Sequence, residues 1–228
     1  MTHNFAAIIL GGTGQVGGAA VAELLAITDC RQVVMVKRKP VAPRVRVRNV
    51  VLDTSASDFA ERTAALVREV LSEGPVSAIS CVGVGSGSMR WSEEDLKRLE
   101  VGVVGASAQR MPSGRHRSVL PALRRWKHRK QPFPLRARHG MKEDTVRSNG
   151  FTRLAIFRPG IIVGNAHTPA YAGWFGSLIP GKFGNINQQI LGRSIAAEVA
   201  LHSNALGEVI LENRAMKSLA AKLPQHNS

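Results

Sequence analysis

The sequence predicts a single α/β domain with a doubly wound, mostly parallel sheet, and three observations carry that prediction. Apolar runs of strand length alternate with amphipathic, helix-length stretches along much of the 228 residues, the pattern of repeated strand–helix units. The first run, Ile8-Ile9-Leu10, ends in the glycine cluster Gly11-Gly12-Thr13-Gly14-Gln15-Val16-Gly17-Gly18 and leads directly into Ala19-Ala20-Val21-Ala22-Glu23-Leu24-Leu25. The length allows one domain with a sizeable core and is short for two.

Gly11, Gly14 and Gly17 keep a G-x-x-G-x-x-G spacing. In a dinucleotide-binding unit one such glycine makes the turn, one lets backbone N–H groups approach a pyrophosphate, and one lets the helix pack on the strand. The helix start then offers unpaired N–H groups and a partial positive charge to phosphates. A tight strand-to-helix connection without a ligand would also use glycine. Here a strand precedes the cluster, a helix follows it, and a second apolar strand, Gln32-Val33-Val34-Met35-Val36, comes next. That context favours the dinucleotide reading.

The remaining elements follow in order. Lys37-Arg38-Lys39 ends the second strand, where a unit specific for NAD would carry an acidic residue on the ribose diol; basic Lys37 and Arg38 there suit a 2′-phosphate, and NADP is favoured over NAD. Solvated surface charges are the alternative. The third strand runs from about Val47 to Leu52, and Asp53 just beyond it either accepts from an adenine amino group or shares a helix N-cap with Thr54 and Ser55. Ser57 to Ser72 reads as a helix covering one sheet face, with Phe59, Leu66, Val67 and Val70 among its apolar positions. Pro75 to Val82 is the fourth strand. Gly83 and the glycine–serine run after it lie at a carboxyl strand end, where ligands of open α/β sheets bind. Ser92-Glu93-Glu94-Asp95 starts a helix with Leu96, Leu99 and Val103 on one face. Met141 to Ser148 reads as helix and Phe151 to Phe157 as a strand ending in Arg158-Pro159-Gly160-Ile161-Ile162. A Gly-, Pro- and aromatic-rich stretch from Val163 to Gly184 opens the substrate-side and C-terminal portion, followed by a helix from Ile190 to His202, a short strand Val209-Ile210-Leu211 and a helix from Asn213 to Leu223.

Cys30 and Cys81 lack metal-type spacing, so no metal site is expected, and two thiols suit a reducing compartment. Only Met1 to Phe5 precede the first strand and no apolar run is long enough to span a membrane, which makes the cytoplasm the expected location. The formal charge of +15 raises nucleic acid as a partner. The excess is local: residues 107–140 hold ten Lys and Arg and no Asp or Glu, and without those ten the +15 falls to +5.

Taken together, the Gly11-to-Gly17 motif, Lys37-Arg38, Asp53 and Arg158-Pro159-Gly160 give a chain that resembles an atypical short-chain dehydrogenase/reductase, an NAD(P)-binding Rossmann-type family. It is most similar to the Tat-interacting tumour-suppressor oxidoreductase branch, over residues 5–106 and 141–215. The resemblance implies that the backbone of Thr13 to Val16 holds the pyrophosphate, Arg38 the 2′-phosphate, Asp53 the adenine and Val82-Gly83 the ribose, with Pro159, Gly160 and Ile161 flanking the nicotinamide. It also implies a small-molecule carbonyl substrate. The chain departs from the family at the catalytic pair, a Tyr whose pKa is lowered by a Lys four residues later: its single tyrosine, Tyr171, is followed at that distance by Phe175. No catalytic residue is assigned, and a non-catalytic NADP-sensing or scaffold protein is the second reading.

The absent pair coincides with the basic segment 107–140, and a frame displacement accounts for the basic stretch and restores a Tyr, while the residue four places after that Tyr reads Met or Thr and not Lys unless the return to frame falls on that codon. With every codon shifted by one nucleotide, Met111-Pro112 must encode Cys and Trp126-Lys127 must encode Gly. Residues 119–125 then permit Phe-Ser-Leu-Leu-Ser-Ala, a fifth strand, and Leu135 to Gly140 permit Tyr-Ala-Arg-Val-Met, a Tyr-bearing helix. As written, the segment is expected to leave the neighbouring strands' ladder groups unpaired, since Pro121 lacks a ladder donor. The competing reading takes it at face value as a basic loop at 110–138, with Trp126 and Phe133, for nucleic acid or nuclear import.

Overall fold

The computed structural model describes residues 4–53, 56–81, 116–120, 151–164 and 184–224. Its strands are β1 (Phe5–Leu10), β2 (Cys30–Lys37), β3 (Val47–Val51), β4 (Val76–Ser80), β5 (His116–Leu120), β6 (Arg153–Arg158), β7 (Ile161–Val163), β8 (Asn185–Asn187) and β9 (Gly207–Glu212). The described helices are α1 (Gln15–Ala26), α2 (Phe59–Ser72), α3 (Gln188–Leu201) and α4 (Asn213–Ala220). Seven strands form one sheet in the order β3-β2-β1-β4-β5-β6-β9, and each adjacent pair is parallel. A short parallel ribbon, β7-β8, stands apart from it.

Strand alternation divides the core between the two faces, as a doubly wound fold requires. Phe5, Ala7, Ile9, Val33, Met35, Ile79, Ala155 and Phe157 pack with Val16, Ala20 and Leu24 of α1, Leu191 and Ile195 of α3 and Met216 and Leu219 of α4. Ala6, Ile8, Leu10, Val34 and Val36 pack with Phe59, Leu66, Val67 and Val70 of α2 on the opposite face. The α1–α3 approach depends on Gly192, where a Cβ would fall 2.6 Å from the Ala19 Cβ.

The boundaries differ from expectation where tertiary pairing decides them. β2 gains residues at both ends by pairing with β1 and β3. α2 starts at Phe59 with Asp58 at its N-cap position, so Asp53 does not cap it; the Asp53 carbonyl instead accepts from the Ala56 N–H at 3.2 Å. β7 and β8, neither expected as a separate strand, form by pairing with each other. The main correction is β5. His116–Leu120, in the written frame, occupies the place between β4 and β6 and pairs with both, so the neighbouring ladders are not left open there. The strand stops one residue before Pro121, whose missing N–H would break the ladder. The expected helices from Ser92 and from Met141, and the rest of 107–140, lie outside the described residues.

Cys30 and Cys81 are both buried, unpaired thiols. Burial raises the Cys30 thiol to about 11, against the lowering effect of the nearby Arg46, and the Cys81 thiol to about 12. Both stay protonated and unreactive at neutral pH. No helix among the described residues is long and apolar enough to cross a membrane, and no described cluster of His, Cys, Asp and Glu could hold a metal ion.

Candidate dinucleotide site

The strand order reverses between β1 and β4, which makes the crevice beyond their carboxyl ends the switch point of the sheet. The glycine turn lies there. Gly11 has φ +76°, a left-handed conformation that favours glycine, and its carbonyl accepts from the Gly14 N–H at 3.0 Å. A Cβ on Gly17 would fall far inside contact distance of the Gly11 carbonyl oxygen, 2.8 Å from its carbon and 2.9 Å from the Gly12 Cα. Gly12 is buried, and a Cβ there would meet Met35 Cε at 3.0 Å and Ile9 Cγ2 at 3.1 Å. Thr13, Gly14 and Gln15 are exposed, whereas Val16 and Gly17 are buried.

α1 begins at Gln15 with Gly14 in the N-cap position. No side chain caps it and its first turn carries no acidic residue. The helix therefore presents N–H groups and the positive end of its dipole with no carboxylate or hydroxyl of its own to neutralise them. At Gly17 a Cβ would meet the backbone of the turn itself, so glycine there lets the start of α1 pack closely on the turn and keeps its uncapped end at the switch point. The residues fit a pyrophosphate.

The other candidates gather along the same edge. The Leu52 N–H donates to the Lys37 carbonyl at 2.9 Å, which brings Asp53 beside the end of β2, and the Cys81 N–H donates to the Leu10 carbonyl at 2.8 Å, which places the chain leading to Val82-Gly83 beside the glycine turn. Val82 and Gly83 themselves lie outside the described residues, as do Tyr171 and Phe175. Pro159, Gly160 and Ile161 follow the carboxyl end of β6, on the same edge but two strands beyond β4.

The structure separates the two basic residues at the end of β2. Lys37 is buried, its Nζ donating to Asn49 Oδ1 at 2.6 Å, and desolvation lowers its pKa. Arg38 is exposed. Elsewhere, arginines serve the fold. Arg31 donates to the Val70 carbonyl at the end of α2, Arg46 to the Leu25 and Ile27 carbonyls at the end of α1 and the Cys30 carbonyl at the start of β2, and Arg193 to the Ala220 carbonyl at the end of α4 and the Leu223 and Pro224 carbonyls just beyond it. Each places a cation where a helix dipole is negative.

Two polar residues near the site escape sequence reading. Asn49 gives no signal in a strand of mixed character. Asn213 does give one: it falls on the apolar stripe of α4, three residues before Met216 and six before Leu219, where a buried polar side chain implies partners.

No protein-family model matches the sequence, and no curated protein matches it significantly. Solved structures do match. An oxidoreductase from Lactococcus lactis is 15% identical, with 97% of this chain and 100% of that chain covered at a TM-score of 0.60. A short-chain dehydrogenase/reductase of the glucose/ribitol dehydrogenase type from Brucella melitensis is 18% identical, with 91% and 94% covered and a TM-score of 0.60. The UDP-N-acetylglucosamine 4-epimerase from Bacillus cereus is 13% identical, with 95% and 82% covered and a TM-score of 0.58. The chain therefore has the doubly wound, Rossmann-like fold that these epimerase and dehydrogenase structures share.

Proposed function

We propose that the chain binds NADP along the carboxyl edge of its sheet and is a reductase-like protein of the atypical short-chain dehydrogenase/reductase type, nearest the Tat-interacting branch. The observation that carries this reading is the glycine turn at the switch point, where α1 starts uncapped and packs so closely on the turn that Gly17 admits no side chain. There the backbone of Thr13 to Val16 holds the pyrophosphate through the N–H groups other than that of Gly14, which the Gly11 carbonyl already accepts, and Arg38 pairs with the 2′-phosphate, with Lys37 behind it. Asp53 accepts from the adenine, Val82-Gly83 borders the ribose, and Pro159 to Ile161 border the nicotinamide. NADPH, when bound, would supply a hydride to a small-molecule carbonyl compound. The chain's own part is to bind and orient.

Titration of NADPH and NADH by nicotinamide fluorescence tests this. The wild type is expected to prefer NADPH, and Arg38→Ala to weaken NADPH by about 10- to 100-fold, the worth of a charge-assisted hydrogen bond, while leaving NADH unchanged. Equal affinity of the wild type for both cofactors would remove the role given to Arg38. The Tyr171–Phe175 spacing favours a second reading, a non-catalytic NADP sensor or scaffold, and turnover with a panel of carbonyl compounds separates the two.

The proposal extends to the gene. Residues 107–140 are out of frame, and the native frame restores the Tyr-bearing helix before Met141. β5 forms from the written residues, so the support is the joint codon match, which restores the Tyr though not the Lys of the pair. Genomic resequencing across the codons for Ala106 to Met141 is expected to read the other frame; a read reproducing Arg124-Arg125-Trp126-Lys127 would overturn it and leave the basic-loop reading for nucleic acid.

A further inference from the structure

Asn213 is the first residue of α4, directly after the edge strand β9, and only 2% of it is exposed. Its Oδ1 accepts from the Gly160 N–H at 2.9 Å, and its Nδ2 donates to the Gly184 carbonyl at 2.6 Å. That carbonyl also accepts from the Ile161 N–H at 3.2 Å. One buried amide thus joins three places that are remote in sequence: the turn beyond β6, the residue that leads into β8, and the start of α4. Only an amide supplies an acceptor and a donor at these two points; a carboxylate has no donor and a hydroxyl is too short to span both.

The placement bears on ligand binding. The glycine turn and the end of β2 lie on the β1–β2 side of the switch point, where the pyrophosphate and adenosine would rest, which leaves the β4–β6 side for the other half of a dinucleotide. Gly160 and Ile161 are the backbone that borders that half. We infer that Asn213 is a positioning residue that sets the Gly160–Ile161 turn against the nicotinamide half of the cofactor and, through it, the affinity for that half alone. This inference rests on the NADP reading above.

The test compares two ligands on the full chain. NADPH carries both halves, whereas 2′,5′-ADP carries only the adenosine half and its 2′-phosphate. Asn213→Ala removes both hydrogen bonds. Asn213→Asp keeps the packing volume and the acceptor for Gly160 but removes the donor for Gly184. Both variants are expected to lower NADPH affinity by about tenfold or more, as loss of a buried hydrogen bond implies, while 2′,5′-ADP affinity stays within about twofold of wild type. A purely structural role would move the two ligands together. A parallel fall in both affinities, an unchanged ratio, or failure of both variants to fold would overturn the inference while leaving the NADP reading intact. A wild-type protein that binds neither ligand would instead remove the NADP reading, and the inference with it.

Discussion

Gly17→Ala is expected to destabilise the protein by about 3 kcal/mol or more and to abolish binding of NADPH. The added methyl would sit inside the Gly11 carbonyl and 2.9 Å from the Gly12 Cα. Both are backbone atoms of the turn, so no rotamer change relieves the clash, and α1 must lift away from β1. Overpacking costs about 1–3 kcal/mol when side chains can give way, and more when they cannot. Lifting α1 also disperses the N–H groups at its uncapped start. Gly14→Ala is the control. Gly14 has φ −76° and ψ 169°, ordinary for any residue, and a Cβ there would meet only the Gly11 oxygen, at 3.3 Å. Its stability should change by less than about 1 kcal/mol, because the neighbour need shift only slightly. Urea denaturation of the two variants reads the difference directly, and equal losses would refute the close-packing role assigned to Gly17.

Arg153→Met carries the second large effect. Glu198 of α3 is nearly inaccessible, its side chain 2% exposed. Arg153 Nε and Nη2 donate to its Oε1 at 2.9 and 2.6 Å, and His202 Nδ1 lies 2.6 Å from its Oε2. Removing the arginine leaves a buried carboxylate with the half-exposed His202 as its remaining neighbour in this cluster. Breaking such a pair on one side costs about 3–5 kcal/mol, more than the intact pair contributes. The double variant Arg153→Met/Glu198→Leu should therefore recover most of the loss, since no charge is then stranded. A double variant less stable than Arg153→Met by urea denaturation would contradict this account. Arg153 begins β6, at the amino edge of the sheet, so NADPH affinity should be unchanged under conditions where the variant is folded.

These two cases show how differently features of one chain can be read. The close approach at Gly17 was legible in the spacing of Gly11, Gly14 and Gly17, because a strand, a turn and a helix are local and a side chain excluded from the turn leaves its mark in sequence. The spacing does not say that Gly17 is excluded by backbone and Gly14 hardly at all. The Arg153–Glu198–His202 cluster left no mark, as an ion pair between residues 45 apart looks like two ordinary surface charges until a helix is laid on a strand. Arg31, Arg46 and Arg193 are equally silent in sequence, since they serve as caps on helix ends that sequence spacing does not bring to them.

By itself the sequence determined the fold class, the places of the first four strands along the chain, the apolar side of α2 and the glycine turn that marks the candidate site, because period-2 and period-3.6 patterns and glycine turns are written in neighbouring residues. Only the tertiary structure decided that His116–Leu120 completes the sheet, that β7 and β8 pair, that Lys37 is bound to Asn49 while Arg38 faces out, and that Asn213 joins Gly160 to Gly184. Each of these depends on which distant backbone group lies within hydrogen-bond reach, and that is fixed by packing of the whole chain.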